Sequence, residues 1–365
     1  MCIRDRIKKG VVIHHNSTLK GIGDDAAVVD GGLYHKKLIS TDMLLEGIHF
    51  DLSYMPLTHL GYKAVTVNVS DIAAMNGIPK QMTISLGLSN RMSVEAVKAL
   101  YEGIHAAAKD YQVDIVGGDT TSSRSGLVIS ITLIGELKPD SIVYRNGAKE
   151  GDIICLSGDI GGAYMGLQIL EREKEVFKSD PNMQPKLDKY SYIVGRQLRP
   201  KARMDMIYEL GDLDILPTSM IDVSDGLASE ILHICKQSEK GACIYEDKLP
   251  IEKETFETAA EFNMDPNTAA LNGGEDYELL FTIGQKDYEK IKNHDDITTI
   301  GYIHSLELGK VMVTNNKNTV FQKIAKPTKT DKSKQTDRNG RTDIDAERER
   351  DRETHTHTHT HTHTH

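Results

Sequence analysis

The sequence predicts an α/β (α+β) protein with two domains. Apolar runs of strand length alternate with segments of helical periodicity, as in proteins that pack helices on sheets. This series stops at the polar, glycine-containing stretch Arg145–Asp152 and then starts again. The length of 365 residues also fits roughly two ordinary domains.

The first half of the chain carries three predicted strands and a predicted helix. Residues 37–40 form a short strand candidate, and apolar residues alternate over Met82–Leu88, which is typical of a half-buried strand. Ser93 is placed to cap a helix whose apolar residues recur at steps of three and four over Val94–Ala108. Leu127–Leu137 has apolar residues on both faces, so we expect a central strand.

The second half begins again with a strand and contains further helices. Ile153–Leu156 is a strand candidate, and a helix is expected to start at Gly161-Gly162. A second helix is predicted over Gly226–Lys236, followed by strands over Leu279–Ile283 and Thr298–Ile303. The change of series places the domain boundary between about residues 138 and 151.

The two ends of the chain differ from the rest. From Lys326 onward the sequence is highly charged and finishes in six Thr-His repeats, a pattern that read-through of repetitive DNA would give. We therefore expect a truncated or non-native start over residues 1–20, an N-terminal domain over 21–140 and a C-terminal domain over 141–325. Residues 326–365 are expected to be a disordered, non-native tail.

Composition excludes several classes of function. The net charge is -10, and no Lys/Arg cluster suited to phosphate backbones appears before the tail, so no nucleic-acid partner is expected. No apolar run approaches the roughly 20 residues that a bilayer requires, and residues 1–10 lack the apolar core of a signal peptide, which predicts a cytoplasmic protein. The four cysteines show no zinc or CxxC spacing and are interpreted as isolated, mostly buried thiols.

Acidic residues recur in short contexts of small residues at the edges of apolar segments. Six such clusters occur: Asp24-Asp25, Asp42, Asp71, Asp119, Asp222 with Asp225, and Glu275-Asp276. Carboxylates beside hydroxyls are hard oxygen donors, which suit Mg²⁺ held together with substrate phosphates. Each cluster alone is also compatible with a turn or a helix cap. The six together favour a site for several magnesium ions and phosphates.

Two glycine-rich segments are candidate phosphate cradles. Residues 117–120 (GGDT) could form a nest of backbone N–H groups, and residues 158–162 (GDIGG) could do so at a helix start. Neither matches the P-loop pattern, and no Rossmann glycine fingerprint follows a strand. A P-loop kinase and a dehydrogenase are therefore disfavoured.

The same motifs, taken in order from about residue 19 to 305, resemble those of thiamine-monophosphate kinases. The carrying segments are Gly21–Ala27, Ser40–Phe50, Asn68–Met75, Gly117–Thr120, Ile221–Leu227 and Gly273–Leu279. The aspartate motifs are shared in looser form with aminoimidazole-ribonucleotide and selenophosphate synthetases. The resemblance implies the two-domain synthetase-like fold, with an N-terminal mixed sheet that binds ATP and magnesium and a C-terminal α/β domain. It also implies a homodimer that pairs its N-terminal sheets.

The resemblance further implies a site for ATP as co-substrate, several Mg²⁺ ions and thiamine monophosphate. By motif position, eight residues correspond to magnesium ligands, some through water: Asp25, Ser40, Thr41, Asp42, Asp71, Asp119, Asp222 and Asp225. The residues that correspond to ATP contacts are Gly118, Asp119, Arg145 and Ser224. His49 and Glu275 correspond to contacts with thiamine monophosphate.

The implied reaction needs no catalytic side chain in the usual sense. The acceptor is a phosphate oxygen that is already anionic at neutral pH, so positioning and charge neutralisation replace a general base. After Phe321 the chain has no aromatic residue, whereas the family carries one near its C-terminus that packs on the thiamine ring. Two alternatives remain open: another synthetase of the superfamily, or a nucleotide-binding module without turnover.

Overall fold

A computed structural model describes residues 11–308, 311–315 and 318–323. The start MCIRDR and the tail over residues 326–365 lie outside the described residues. Thirteen strands are present within the described ranges: β1 Thr18–Lys20, β2 Ala27–Asp30, β3 Lys36–Leu45, β4 Ile78–Leu88, β5 Asp114–Ser122, β6 Val128–Leu137, β7 Ile153–Ser157, β8 Ser219–Asp222, β9 Gly241–Tyr245, β10 Leu279–Ile283, β11 Ile297–His304, β12 Val311–Asn315 and β13 Asn318–Lys323.

These strands form two mixed sheets. The first has six strands in the order β1-β2-β3-β6-β4-β5, and the second has seven in the order β13-β12-β9-β11-β7-β10-β8. Most neighbours are antiparallel, whereas β4 pairs with β5 and β9 pairs with β12 in parallel. The expected mixture of α and β layers is confirmed, and both sheets belong to one compact unit. The division into domains at residue 140 remains a prediction.

Helices cover the sheets. Within the described residues they are α1 Leu57–Ala74, α2 Val94–Asp110, α3 Gly162–Ser179, α4 Ser191–Leu198, α5 Met204–Asp212, α6 Leu227–Ser238, α7 Lys253–Glu261, α8 Pro266–Asn272 and α9 Tyr288–Ile291. None of the helices in the described part of the chain is long and apolar enough to cross a membrane.

Helix α1 is the central element of the core. Fourteen of its eighteen residues are buried, because it contacts β3, β4 and β6 of the first sheet and β8 of the second. A helix that is buried on nearly all sides must be mostly apolar, and the α1 sequence from Leu60 to Ala74 largely is. The polar residues that α1 does carry, among them Lys63, Asn68, Ser70 and Asp71, are therefore held in fixed positions inside the molecule.

Most of the predicted elements are confirmed. The Ser93 hydroxyl accepts a hydrogen bond from the Ala96 N–H at 3.1 Å and caps α2, and β6 lies centrally between β3 and β4. The expected apolar stripe of α2 is wrong at its first residue, because Val94 is 65% exposed. Residues 114–122, which the sequence analysis did not assign to a strand, form β5 at the edge of the first sheet.

Candidate functional site

A single cavity of about 440 Å³ gathers side chains that are far apart in the sequence. Its walls come from the loop before β2, from β3, from α1 and from the loops that follow β8 and α8. The lining residues are Asp24, Asp25, Thr41, Asp42, Met43, Leu44, His49, Val67, Asp71, Arg145, Asp222, Ser224, Asp225, Glu230, His233, Glu275 and Tyr277. The lining is therefore strongly acidic, with elements of both sheets contributing to it.

Three carboxylates meet inside the cavity. Asp25 lies in the loop before β2, Asp71 is on α1 and Asp222 ends β8, and one oxygen of each lies within 4.8 Å of the others. The Ser70 hydroxyl donates to Asp222 Oδ2 at 2.6 Å and so fixes the orientation of this carboxylate. Three such groups repel one another at this separation unless positive charge lies between them.

The electrostatics of the three carboxylates agree with that repulsion. Burial, followed by the charge of the neighbouring Asp25, raises the pKa of Asp222 to about 7, although Ser70 and Arg145 act to lower it. Burial, followed by the charges of Asp222 and Asp42, raises the pKa of Asp71 well above its ordinary value. Burial and mutual repulsion therefore favour the protonated forms of Asp71 and Asp222, whereas a bound cation would favour their charged forms.

Arg145 brings a positive charge to this group. Its guanidinium makes a two-point hydrogen-bonded pair with the Asp25 carboxylate, with Nε to Oδ2 at 2.9 Å and the second bond from Nη2 to Oδ1. The backbone N–H of Arg145 donates to Asp24 Oδ1 at 3.2 Å, which fixes the chain beside the same loop. Burial raises the pKa of Asp25 and Arg145 lowers it, so the arginine favours the charged form of this carboxylate.

Strand β3 presents a second group of predicted residues. The Asp42 N–H donates to the Asn68 side-chain oxygen at 3.1 Å, and the Thr41 hydroxyl donates to the Ile131 carbonyl at 3.1 Å. Nδ1 of His49 accepts the Leu45 N–H at 3.1 Å, so Nε2 is the ring nitrogen that can donate. Contacts with α1, with β6 and with the end of β3 thus fix these residues at the cavity wall.

The loops after β8 and α8 lie against each other. The Glu275 N–H donates to the Ser224 carbonyl at 2.9 Å, and Glu275 itself has a left-handed backbone with φ of +66°. A Cβ at Gly274 would lie 2.4 Å from the Ser224 carbonyl oxygen, so only glycine permits this approach. The two loops therefore place Ser224, Asp225 and Glu275 together at the cavity.

Three residues predicted for the site do not line this cavity: Ser40, Gly118 and Asp119. Ser40 is buried, and its hydroxyl donates to the Asn68 carbonyl at 3.4 Å. Gly118 and Asp119 lie on β5, whose residues are all exposed. Their assignment to ATP or magnesium stays a prediction.

Both predicted phosphate cradles take another form. Residues 117–120 lie in the extended strand β5, which is paired with β4, and so do not form a nest. The N-terminus of α3 is occupied by the buried carboxylate of Asp276, which accepts the N–H groups of Gly161 at 2.8 Å and Ala163 at 3.1 Å. An acidic side chain therefore satisfies the helix end where a phosphate was considered.

Several lining residues were not singled out from the sequence. Glu230 is buried, accepts the Asp225 N–H at 3.1 Å and has its pKa raised to about 8 by burial and by Asp222. Its position in the first turn of a helix just after the Asp222–Asp225 motif is the signal that could have identified it. His233 lies one turn further along α6, where its spacing of three from Glu230 puts both on one face.

Comparison with known proteins places this geometry in a family context. A profile described as "AIR synthase related protein, N-terminal domain" matches residues 23–137. The chain is 35% identical over 321 residues to a protein of Bacillus subtilis (strain 168) named thiamine-monophosphate kinase, covering 85% of this chain and 93% of that relative. It is also 35% identical over 288 residues to the protein of the same name from Aquifex aeolicus (strain VF5), covering 79% and 88%.

Solved structures give the same result. A structure described as AaThiL complexed with AMPPCP and TMP superimposes with a TM-score of 0.74 at 33% sequence identity, and the match covers 87% of this chain and 94% of that one. A crystal structure of thiamine monophosphate kinase from Aquifex aeolicus gives a TM-score of 0.69 at 30% identity, with 87% and 96% covered. The overall fold of this chain thus also occurs in a protein with this name.

Proposed function

The chain belongs to the thiamine-monophosphate kinase family, and from that premise we propose that its acidic cavity transfers the terminal phosphoryl group of ATP to thiamine monophosphate. The product is thiamine diphosphate. The observation that carries this proposal is the meeting of Asp25, Asp71 and Asp222 beside Arg145 in one cavity. The relative bound to AMPPCP, an analogue of ATP, and to TMP supports it.

Several Mg²⁺ ions fit the residues that line the cavity. The three converging carboxylates offer hard oxygen atoms within 4.8 Å of one another, and burial together with their mutual repulsion raises the pKa of Asp71 and of Asp222. Asp25, Asp71 and Asp222 would hold magnesium at the centre, with Thr41, Asp42 and Asp225 on the surrounding wall. Ser40 and Asp119 complete the proposed set. Bound magnesium supplies charge neutralisation between two polyanionic phosphates.

The side chains of this cavity act by orientation. The acceptor oxygen of thiamine monophosphate is already anionic, so no residue has to remove a proton from it. Arg145 is proposed to contact the ATP phosphates, together with Gly118, Asp119 and Ser224. His49, with Nε2 free to donate, and Glu275, with a carboxylate suited to a cationic thiazolium, are proposed to bind thiamine monophosphate.

The homodimer predicted through the N-terminal domain has a candidate surface in β5. This strand ends the six-stranded sheet, all of its residues are exposed, and Val116 is 58% exposed. An exposed edge strand with apolar side chains favours pairing with another chain. We propose that a second copy covers it. The cytoplasmic location predicted from the sequence remains a proposal.

Acceptor choice tests the proposed function. Purified protein is incubated with ATP and Mg²⁺ and with either thiamine monophosphate or unphosphorylated thiamine, and the thiamine phosphates are then separated. Thiamine diphosphate is expected from thiamine monophosphate alone, with one ADP released per product. ADP release without thiamine diphosphate would instead favour another synthetase of the superfamily.

A further inference from the structure

Lys63 is a fully buried lysine in the middle of α1. Its relative exposure is 0%, although a lysine side chain normally keeps its ammonium group in water. An ammonium group without a partner is strongly unfavourable in such a place. The position of Lys63 therefore requires specific partners, and the structure provides two.

The partners of Lys63 connect it to the cavity. Its Nζ lies 3.1 Å from Oε1 of Glu275 and donates to the Gln197 carbonyl at 3.2 Å. The side-chain amide of Gln197 donates to the other oxygen of Glu275, Oε2, at 2.7 Å. Both carboxylate oxygens are thus held from the protein side, by α1 and by α4.

Glu275 is the only member of this group that lines the cavity among the residues described. Its side chain is 27% exposed, whereas Lys63 and Gln197 are buried. Each carboxylate oxygen has about two acceptor positions, so one on each oxygen remains for a ligand after the bonds to Lys63 and Gln197 are made.

We propose that Lys63 is a positioning residue for the acceptor substrate: together with Gln197 it holds the Glu275 carboxylate at the cavity wall in the orientation that receives the cationic part of thiamine monophosphate. The inference rests on the proposed function and on the proposed role of Glu275. Lys63 itself does not touch the substrate. Its loss therefore acts through Glu275 and on the acceptor, not on ATP.

A double-mutant cycle separates positioning from a merely structural role. Lys63→Met, Glu275→Gln and the double variant are compared with wild type, with Lys98→Met, an exposed lysine on α2, as the matched control. Lys63→Met is expected to raise the KM for thiamine monophosphate about tenfold while the KM for ATP is unchanged. Adding Lys63→Met to Glu275→Gln is expected to raise that KM no further.

Thermal unfolding gives a second, independent readout. Lys63→Met leaves the Glu275 charge uncompensated in the wild-type background and is expected to lower Tm. In the Glu275→Gln background the same change removes a buried ammonium that has lost its carboxylate partner and keeps only the Gln197 carbonyl, so it is expected to raise Tm. If Lys63→Met does not fold, the comparison of the double variant with Glu275→Gln still decides the matter.

Each contrary result rejects a different part of the proposal. An unchanged KM for thiamine monophosphate in Lys63→Met, or a further tenfold rise when Lys63→Met is added to Glu275→Gln, overturns the positioning role. An unchanged KM in Glu275→Gln rejects the proposed contact of Glu275 and with it this inference. Absence of thiamine diphosphate formation by the wild-type protein rejects the proposed function itself.

Discussion

At the residue scale, the cavity contains buried carboxylates whose negative charges are unfavourable when no cation is bound. Asp222 is 3% exposed, close to Asp25 and Asp71, and still accepts a hydrogen bond from Ser70. Burial and neighbouring negative charge disfavour the ionised form of Asp222. This carboxylate therefore destabilises the protein when no metal is bound. The proposed binding of Mg²⁺ accounts for this arrangement.

Replacing Asp222 by asparagine separates function from stability. Asp222→Asn keeps an oxygen for the Ser70 hydroxyl but removes one negative charge, so phosphoryl transfer is expected to fall by about a hundredfold or more. The Tm of the metal-free protein at pH 8 is expected to rise, because repulsion with Asp25 and Asp71 is relieved. Initial rates and thermal unfolding measure the two effects.

Asp212, an exposed aspartate at the end of α5, provides the control. Asp212→Asn removes the same charge at a residue that does not line the cavity and is expected to change neither quantity. A fully active Asp222→Asn enzyme with an unchanged magnesium requirement would remove Asp222 from the proposed site.

At the element scale, α1, the helix that carries Asp71, crosses α2 closely. A Cβ added at Gly103 would lie 1.8 Å from the Thr58 carbonyl oxygen, and one at Gly61 would lie 2.0 Å from the Leu100 carbonyl oxygen. Backbone atoms cannot move aside as a flexible side chain can. The two helices must therefore separate if either glycine gains a methyl group.

Gly103→Ala is expected to destabilise the protein by about 1–3 kcal/mol through this overpacking. Gly195→Ala is the matched control, because Gly195 is also helical but has nothing within 4 Å of the added Cβ. Alanine there is expected to stabilise by about 0.5–1 kcal/mol through helix propensity. Chemical denaturation of both variants tests the pair, and equal effects of the two substitutions would contradict this account of the crossing.

Local sequence patterns predict some of these elements and not others. Local signals identified the Ser93 cap and the central strand β6, since capping chemistry and two-sided apolarity are properties of neighbouring residues. β5 was missed because its glycines and polar residues resemble a loop, and only its pairing with β4 makes it a strand. Asp276 was grouped with metal candidates, although its position at the α3 N-terminus depends on a contact across 115 residues.

The meeting of the three carboxylates likewise could not be predicted from local sequence alone. Motif identity named Asp25, Asp71 and Asp222, but spacing alone could not show that their oxygens meet within 4.8 Å. That meeting requires α1 to be packed between the two sheets. Local sequence does not identify Lys63 and Glu230, because a single charged residue in a helix is ordinarily exposed to solvent.

At the scale of the whole molecule, metal binding and stability should depend on pH in opposite directions. The folded pKa of Asp222 is about 7 in the absence of metal, whereas that of an unfolded aspartate is about 3.9. The folded state therefore binds more protons between these values, and the free energy of unfolding of the metal-free protein falls as pH rises through about 7. Glu230, with a pKa of about 8, extends the decrease.

Magnesium affinity is expected to rise over the same interval, because cation binding must displace these protons. Calorimetric titration between pH 6 and pH 8 in buffers of different ionisation enthalpy measures both the affinity and the protons released. Magnesium affinity independent of pH, with no proton release, would be incompatible with a site built on Asp71 and Asp222.

The proposed homodimer makes a further prediction for the whole molecule. Val116→Asp places a charge on the exposed edge strand and is expected to convert a dimer to a monomer in size-exclusion chromatography with light scattering. Val94→Asp, at an equally exposed apolar residue on α2, is the control and should leave the dimer intact. A wild-type protein that is monomeric at micromolar concentration would reject the proposal.

The fate of the ATP γ-phosphoryl group is the decisive test of the proposed transfer to thiamine monophosphate. The protein is incubated with γ-³²P-labelled ATP, Mg²⁺ and thiamine monophosphate, and the label is followed into the separated thiamine phosphates. We expect label to enter thiamine diphosphate in step with ADP release and chelation of magnesium to abolish the transfer. Asp212→Asn should retain the transfer, whereas Asp222→Asn should reduce it about a hundredfold or more. Label recovered only as inorganic phosphate, or transfer that continues without a divalent cation, would contradict it.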